Sequence, residues 1–367
     1  MPDRDRGWGS RSVTRAAFSL WTARACHGLA AGVLAVLTLS YLLSDRHWLG
    51  AAWGVWPSWF WSPGLVVLAL LGHRGSRRWF TIALLAATAA FCLVFSEGWL
   101  VVRRANPVAR HVFREARRQL LSDPANPHAA WPRGIPLRVV SWNVAALPGG
   151  PEPTLGVLAK LQPDVCFVQE AWYGERDLPQ EAVEKHLPGF RRFAEPDCAL
   201  LSRYPAAARE PIDLGGICAQ VVAVEVPGSR TVTCVNVHLP LLPLRLAVHR
   251  RAVRDESRKA VAERAGMIAR LAAAVRDRAS SGPVIVAGDW NTPASAGSLR
   301  PLRARLDDAF RRGGSGWGNT MTSDFPVARI DAVFLSQHFD VVYCAAHTAK
   351  PSDHRLVEAE LWLRSRE

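Results

Sequence analysis

Carboxylates, histidines and amides lie next to short apolar runs or in the C-terminal segment, within the last two thirds of the chain. They are Asn143, Glu170, His238, Asp289, Asn291, Asp331, Asp353 and His354. A set rich in oxygen donors, without a cysteine nucleophile, suits a hard divalent cation such as Mg²⁺ together with a phosphate ester. A carboxylate can align an attacking water, and a histidine can supply a proton near neutral pH. These residue types therefore predict metal-assisted hydrolysis of a phosphate ester.

Each of these motifs alone has an ordinary structural explanation. Asn143 after an apolar run is typical of a turn, and Gly288–Asn291 is also a plausible turn. Gln169 and Glu170 could form a solvated strand end, and a single histidine is usually structural. All of them in one chain, in this order, favour one shared site.

The spacing of apolar residues predicts the elements that position this site. Valine- and isoleucine-rich runs predict strands at Leu137–Trp142, Val165–Val168, Thr231–Val237, Val284–Ala287 and Ile330–Leu335. Helices are predicted at Thr154–Leu161, Glu181–Leu187, Ala252–Arg278 and Ser298–Ala309. Strands with near-continuous apolar runs need covering on both faces, which two packed sheets with helices outside would supply. Polar groups at neighbouring strand ends would then meet at one edge.

The whole constellation resembles the endonuclease/exonuclease/phosphatase superfamily, which includes DNase I, exonuclease III, neutral sphingomyelinases, inositol-polyphosphate 5-phosphatases and deadenylases. The resemblance covers Arg138–Leu363, and the stretch Ala199–Pro205 resembles the family strand that precedes the central catalytic motif. It implies an α/β fold, a four-layered α/β sandwich of the DNase I type, and phosphoester hydrolysis that depends on Mg²⁺, with Mn²⁺ as a substitute.

The resemblance also implies roles for the residues that match its motifs. Glu170 would bind the metal, with Asn143 and Asp353 in or near its coordination shell. Asp289 would orient or deprotonate the attacking water, and Asn291 would hold the phosphate. His354, held by Asp331, would contact the scissile phosphate, and His238 would act as the acid or as a phosphate-binding histidine.

His238 indicates the branch of the superfamily. Exonuclease III-type repair enzymes carry a tyrosine at this position, whereas the histidine resembles the DNase I, sphingomyelinase and phosphatase branches. The apolar loop Leu239–Leu246 follows it and has two open interpretations. It is either buried beneath the next helix or forms a lip that touches lipid.

Three apolar stretches in the first third predict membrane-spanning helices at about residues 26–43, 50–71 and 79–97. A cleaved signal peptide is the alternative for the first stretch, but the run is long and lacks a clear cleavage site. We therefore divide the chain into a membrane region at 1–102, a basic, proline-rich linker at 103–135 and a catalytic domain at 136–367. Three-span bacterial members linked to glycopeptide resistance resemble this architecture.

Charge supports that division. Residues 1–135 carry 16 basic and 6 acidic side chains, whereas residues 136–367 carry 29 and 26. The basic excess therefore flanks the apolar segments, where anionic headgroups attract arginine, and the catalytic region lacks the general electrostatic footprint of a DNA-binding protein.

Arginines before the first span and between the second and third favour the cytoplasm, which would place the catalytic domain outside it. Arg103, Arg104, Arg110 and Arg114 argue the other way. A short helix around Val108–Leu121 is predicted in the linker, either solvated or resting on anionic headgroups.

These features predict a multi-pass membrane hydrolase that acts on a phospholipid or lipid-linked phosphate at the outer surface. A tethered DNase I-like nuclease is the alternative enzyme, although nucleic acid is disfavoured as a partner, and a non-enzymatic scaffold is the least favoured interpretation. If the domain is exported, Cys198 and Cys218 could form a disulfide, but two separate buried thiols are favoured.

Overall fold

The computed structural model describes residues 8–48, 50, 58–73, 78–95, 103–123, 134–173, 176–242 and 250–365. The chain divides into two units. The first comprises Met1–Ser44 and Leu49–Trp99, and the second comprises Asp45–Trp48 and Leu100–Glu367.

The first unit is helical, with α1 at Trp8–Leu43, α2 at Ser62–His73 and α3 at Arg78–Phe95. Two segments, Leu20–Arg46 and Arg78–Phe95, are long and apolar enough to cross a membrane. The apolar segment Ser58–His73, which opens with a 3₁₀ turn, is shorter. Residues 51–57 of the predicted middle span lie outside the described residues, so three spans stay a prediction.

A buried histidine joins the three helices of this unit. The Nε2 atom of His27 in α1 lies 3.0 Å from the Ala69 carbonyl oxygen of α2 and 3.2 Å from the Thr81 hydroxyl oxygen of α3. Its ring packs so closely on Gly72 that a Cβ atom there would lie 2.1 Å from the imidazole. A glycine is therefore required at this helix contact.

The predicted linker helix is observed as α4, Pro107–Ser122, with the Asn106 side chain as its N-cap. Phe113 has no exposed surface and packs edge-on against Trp362, with the ring centroids 5.5 Å apart. The apolar face of α4 thus contacts protein, so the helix is not simply solvated, and contact of its exposed face with headgroups stays a prediction.

The second unit contains two six-stranded sheets. The order in the first sheet is β13-β14-β1-β2-β6-β5. Its strands are β1 (Ile135–Asn143), β2 (Val165–Gln169), β5 (Arg191–Glu195), β6 (Cys198–Ser202), β13 (Phe339–His347) and β14 (Leu356–Leu363). β1 and β2 are parallel, and the other neighbours are antiparallel.

The order in the second sheet is β11-β12-β10-β9-β8-β7. Its strands are β7 (Ala206–Asp213), β8 (Cys218–Val226), β9 (Arg230–His238), β10 (Val284–Asp289), β11 (Asp307–Asp308) and β12 (Asp331–Leu335). Only β9 and β10 are parallel. A small hairpin, β3 (Trp172–Tyr173) with β4 (Arg176–Asp177), stands apart.

The sheets pack face to face through apolar side chains such as Val139 and Phe167 of the first and Val222 and Ile285 of the second. Outside the first sheet lie α5 (Pro151–Leu161) and α6 (Gln180–His186), and outside the second lies α7 (Arg251–Ser281). Each fully buried large apolar side chain contributes about 1.5–3 kcal/mol. The result is the predicted α/β sandwich of four layers.

The helix predicted at Ser298–Ala309 is wrong. The chain forms a 3₁₀ turn at Gly297–Leu299, a single turn α8 at Arg300–Arg303, the strand β11 and then α9 at Ala309–Gly313. The reason is competition from the sheet, because β11 pairs with Phe334 and Leu335 of β12. Asp308 then begins a new helix by accepting from the Phe310 backbone N–H at 2.9 Å.

The disulfide considered between Cys198 and Cys218 is also wrong. Cys198 begins β6 of the first sheet and Cys218 begins β8 of the second, and both are free thiols. Cys198 is buried as expected of a separate thiol, whereas Cys218 is exposed.

Candidate active site

The predicted site residues meet at the edge where the parallel strands of both sheets end. Asn143 ends β1, Glu170 follows β2, and His238 and Asp289 end β9 and β10. In the second sheet the register aligns His238 with Asp289 and Asp289 with Asp331, so these three form one row across neighbouring strands. We refer to this edge as the catalytic edge.

A buried amide network fixes the two sheets directly beneath this edge. The Nε2 atom of Gln169 donates to Oδ1 of Asn236 across the inter-sheet space at 2.6 Å. Asn236 in turn donates to the backbone carbonyls of Val168 and Ala199 at 3.1 and 3.2 Å. Gln169, which the sequence places at a strand end, and Asn236 therefore hold the two sheets together instead of facing the catalytic edge.

Asp289 lies at the centre of the site. Its Oδ2 atom accepts from Nδ2 of Asn143 at 3.1 Å, and lies 3.7 Å from Nε2 of His238 and 3.9 Å from Nε2 of His354. Burial and the charge of Asp331 raise the pKa of Asp289, while the two histidines lower it. A buried carboxylate whose pKa is shifted by neighbouring charges is a common feature of catalytic sites.

The histidines are each held by a carboxylate. Nδ1 of His354 lies 2.9 Å from Oδ2 of Asp331. Burial lowers the pKa of His354, but the charges of Asp331 and Asp289 and the hydrogen bond to Asp331 outweigh it and raise the pKa to about 9. His238 likewise pairs through Nδ1 with Asp197, and its pKa is raised although burial opposes this.

The backbone at the catalytic edge has positive φ angles at three motif residues. Glu170 and Asn291 both have a positive φ, +50° and +45°, which is rare for residues with a side chain and is concentrated at functional sites. Gly288 has φ +153°, and a Cβ atom there would lie 1.8 Å from the carbonyl oxygen of Val237. Glycine is therefore obligatory where β10 approaches β9.

Asn143 and Asn291 connect the acidic and basic groups. Nδ2 of Asn143 donates to Oε1 of Glu170 at 3.0 Å, while its Oδ1 accepts from the Ala145 backbone N–H at 2.9 Å. Nδ2 of Asn291 donates to the Leu239 carbonyl at 2.8 Å and lies 3.3 Å from Nε2 of His238. In this arrangement Asn143 presents its amide nitrogen to the carboxylates.

Asp353 is the predicted site residue farthest from these contacts. Its side chain is exposed, and its charge helps to raise the pKa of the neighbouring His354. Among the described residues, Asp289, Asp331 and His354 form a cluster whose potential ligand atoms all fall within 4.8 Å of one another. The structure thus brings seven of the eight predicted residues into one network and leaves Asp353 at its border.

The structure adds residues that sequence reasoning missed. Asp197, in the turn between β5 and β6, holds His238. Arg264 of α7 is buried and donates to the carbonyl oxygens of Trp290, Asn291 and Pro240, the Asn291 bond measuring 2.8 Å. A signal for Arg264 was available, because it lies on the apolar stripe of the helix between Val261 and Ile268.

Within the second unit, Asp45 also supports the Asn291 loop. Its buried carboxylate accepts from the Thr292 hydroxyl at 3.0 Å and from the Ser298 backbone N–H at 2.9 Å. Burial lowers the pKa of Arg264 to about 10, and the charges of Asp45 and Asp289 oppose that change. No local pattern in the sequence predicts this contact, because 247 residues separate Asp45 from Thr292.

The loop that follows His238 is partly buried and partly exposed, so each of the two predicted interpretations fits some of its residues. Leu239 and Leu242 are buried, and Leu239 packs with Ile268 of α7. Leu241 is 68% exposed. Residues 243–249 lie outside the described part of the chain, so the remainder of the lip stays a prediction.

Comparison with known proteins agrees with this geometry. The family model of the Endonuclease/Exonuclease/phosphatase family matches residues 140–354. A solved endonuclease/exonuclease/phosphatase from Bacteroides vulgatus is 13% identical, covers 63% of this chain and 100% of its own, and has a TM-score of 0.50. No curated protein sequence matches the chain.

Two further solved structures are similar. One is an endonuclease/exonuclease/phosphatase from Beutenbergia cavernae, with 22% identity, a TM-score of 0.48 and coverage of 63% of this chain and 72% of that one. The other is a mannosyl-6-phosphatase from Bacteroides thetaiotaomicron, with 16% identity, a TM-score of 0.46 and coverage of 61% and 99%. The matched family region contains every residue of the catalytic edge, and the chain belongs to the Endonuclease/Exonuclease/phosphatase family, whose members hydrolyse phosphate esters.

Proposed function

We propose that this protein is a membrane-anchored hydrolase that uses a divalent metal ion to cleave a lipid or lipid-linked phosphate ester. The observation that carries the proposal is the excess of negative charge at the catalytic edge. In the part of the chain that the structure describes, the ion-pair partners of Glu170, Asp289 and Asp331 are the two imidazoles of His238 and His354. Among the described residues, no lysine or arginine forms an ion pair with these three carboxylates, so a bound cation would stabilise them.

The donor set fits a hard cation such as Mg²⁺, with Mn²⁺ as a substitute. The Glu170 carboxylate is the kind of ligand that such ions prefer, with Asn143 and Asp353 as its proposed companions, and the charges of Asp289 and Asp331 add to the attraction. The Oδ1 atom of Asp331 is buried and has no hydrogen-bond partner in the described part of the chain. A bound divalent ion would neutralise charge on the phosphate oxygens.

Side chains of the catalytic edge would orient the attacking water and bind the phosphate. Asp289, held by Asn143 and by the Asn291 backbone N–H at 2.8 Å, would accept a hydrogen bond from the attacking water and orient it. His354 is positively charged at neutral pH because of Asp331, and would donate to a phosphate oxygen.

His238 and Asn291 would serve the leaving group. Asp197 fixes the orientation of His238 through Nδ1, which leaves Nε2 facing the site beside Asn291. The neighbouring carboxylates raise the pKa of His238, which favours its protonated form, so it can give a proton to the departing oxygen. Asn291 would donate its amide to the phosphate.

The surroundings of the site favour an amphiphilic substrate over nucleic acid. Exposed apolar side chains lie a few residues from catalytic ones, with Trp172 after Glu170, Leu241 after His238 and Phe325 in the loop before Asp331. Leu241 and Phe325 are 68% and 67% exposed. Exposed apolar groups around a site are typical of surfaces that contact lipid, and phosphates of the cell envelope fit this description.

We also propose a multi-pass anchor of three spans with the catalytic domain outside the cytoplasm. Two apolar helices of sufficient length support anchoring, and the arginines before α1 and between α2 and α3 support the orientation. A C-terminal alkaline phosphatase fusion tests the orientation, because that reporter is active only outside the cytoplasm. An active fusion is expected, and an inactive one that is expressed would contradict the orientation.

The substrate class is tested with the purified full chain on three substrates: anionic phospholipid in vesicles, soluble bis(p-nitrophenyl) phosphate and plasmid DNA. The variants are Leu241→Asp and Phe325→Asp, with Val112→Asp on α4 as a control that is also exposed but distant in sequence from the catalytic residues. We expect Leu241→Asp and Phe325→Asp each to lower vesicle hydrolysis about tenfold while hydrolysis of the soluble ester is unchanged. Each substitution removes about 1.5 kcal/mol of apolar contact with lipid.

Other outcomes separate the alternatives. Rapid cleavage of plasmid DNA with no lipid hydrolysis would favour the tethered nuclease. Absence of hydrolysis of all three substrates would favour a scaffold. Equal loss in the Val112→Asp control would show that Leu241 and Phe325 have no specific role in lipid contact. A melting curve of each variant shows whether it is folded.

A further inference from the structure

A cavity of about 650 Å³ lies in the second unit, away from the catalytic edge. It is bounded by the start of α4, the start of β13 and the end of β14, and its lining includes Arg103, Arg104, Arg312, Asp340, Trp362 and Arg364. Trp362 pairs with Pro136 at the beginning of β1. Asn143 lies seven residues further along that strand, about 23 Å away at the rise of a β-strand. The volume is in the range of small-molecule sites.

The lining of this cavity carries excess positive charge. Asp340 offsets Arg364, whose Nε atom lies 3.0 Å from its Oδ2 atom, and Asp307 offsets Arg312. Arg103 donates only to a neutral group, the Arg311 carbonyl, at 2.9 Å. Within the described ranges, no carboxylate pairs with Arg103 or Arg104. Two guanidinium groups therefore remain without a counter-charge.

A neutral donor lies in the same wall. Trp362 is 3% exposed, and its indole N–H is buried without an acceptor among the described residues. A buried donor that lacks a partner is destabilising, and an acceptor ligand would offset that cost. The start of α4 is not the source of the site, because the Asn106 side chain already accepts from the Val108 and Ala109 backbone N–H groups.

We propose that this cavity binds a phosphate group, as carried by an anionic phospholipid headgroup. Guanidinium groups bind phosphate oxygens in pairs, and Arg103 and Arg104 supply the uncompensated charge for this. Arg103 follows the end of α3 at Phe95 by eight residues, and basic residues just beyond an apolar helix attract anionic headgroups. Inorganic phosphate offers the same oxygens and is the other source of this chemistry.

The test is calorimetric titration of the purified full chain, in neutral detergent with EDTA, so that metal-dependent binding at the catalytic edge does not contribute. The probes are dihexanoyl phosphatidylglycerol, dihexanoyl phosphatidylcholine and inorganic phosphate. Wild type is compared with Arg104→Gln and with the matched control Arg118→Gln. Arg118 is an exposed arginine of α4 outside the cavity, so both variants lose one positive charge.

The proposal predicts saturable binding of the anionic lipid, about tenfold weaker in Arg104→Gln and unchanged in Arg118→Gln. If only the lipid shows this dependence, the source is a headgroup, and if inorganic phosphate shows it equally, the source is free phosphate. Equal binding of the zwitterionic lipid, equal affinity in wild type and Arg104→Gln, or equal loss in both variants would overturn the site.

Discussion

The two ends of the β-sandwich both hold buried carboxylates, but the two ends differ in whether basic side chains compensate that charge. Near the starts of β1 and β2, Arg117 forms a bidentate pair with Asp164 at 2.8 and 2.9 Å, and Arg138 and Arg110 surround Glu360. At the opposite end, Glu170 and Asp289 meet imidazoles and amides but no arginine or lysine among the described residues. The compensated charges satisfy one another within the fold, whereas the uncompensated charges support the proposed cation at the catalytic edge.

The largest expected effect is at the centre of the catalytic edge. Asp289→Asn removes the group that we propose to orient water, and His354→Ala removes the group that we propose to bind the phosphate. We expect each variant to lower kcat by about 10⁴-fold, with the double variant little worse than either, because both act in one step. Steady-state kinetics on a soluble phosphate ester measures this.

Asp289→Asn also separates function from folding. It replaces a buried carboxylate, whose pKa is raised, by a neutral group of the same shape, so the melting temperature should stay the same or rise. Small, additive losses of activity, or a large loss of stability, would place the chemistry elsewhere.

Glu170→Gln should nearly abolish hydrolysis at ordinary Mg²⁺, by about 10³-fold, because it removes a metal-binding charge but preserves shape. Its residual activity should increase with added Mg²⁺, unlike that of Asp289→Asn. A titration of activity against Mg²⁺ gives the comparison. Wild-type activity of this variant at ordinary Mg²⁺ would rule out the assignment of Glu170 to the metal.

At the compensated end, Arg117→Ala should destabilise the protein by about 2 kcal/mol, because it removes the bidentate partner of the buried Asp164 and leaves that carboxylate the longer contact with Arg203 at 3.4 Å. Urea unfolding measures the change. The kcat of the folded fraction should remain within about twofold, since Arg117 touches no catalytic residue. A fall in kcat without a fall in stability would contradict the distinction between the two ends.

A smaller effect is expected where α7 supports the catalytic edge. Arg264→Lys keeps a charge but loses the planar fork that contacts three carbonyls, so kcat should fall about tenfold with little change in KM. Arg270→Lys is the matched control, since Arg270 of the same helix binds the Leu214 carbonyl away from the site. Equal effects of the two variants on kcat would show that Arg264 has no positioning role.

The sequence was informative where function depends on strand ends. Asn143, Glu170, His238 and Asp289 each follow a run of apolar residues, and parallel strands bring their carboxyl ends to one edge. Binary patterning therefore predicts both the strands and their meeting point. The same reasoning failed at Ser298–Ala309, where a helical pattern lost to pairing of β11 with β12.

Residues that position the site were harder to predict. Asp197 and Asp45 act through contacts distant in sequence, and a turn aspartate or an acidic residue after an apolar helix has no distinctive local pattern. Arg264 differs, because an arginine on an apolar stripe is unusual and indicates a buried partner. The role of α4 was missed because its basic residues suggested lipid, whereas Arg110 and Arg117 pair with buried carboxylates of the domain.

The measurement that tests the central claim most directly is hydrolysis of p-nitrophenyl and bis(p-nitrophenyl) phosphate by the full chain, with and without a chelator. If the uncompensated carboxylates of the catalytic edge hold a divalent ion, EDTA abolishes turnover, Mg²⁺ restores it, and Asp289→Asn abolishes it under all conditions. Turnover that persists undiminished in EDTA, or in Asp289→Asn, would contradict the account.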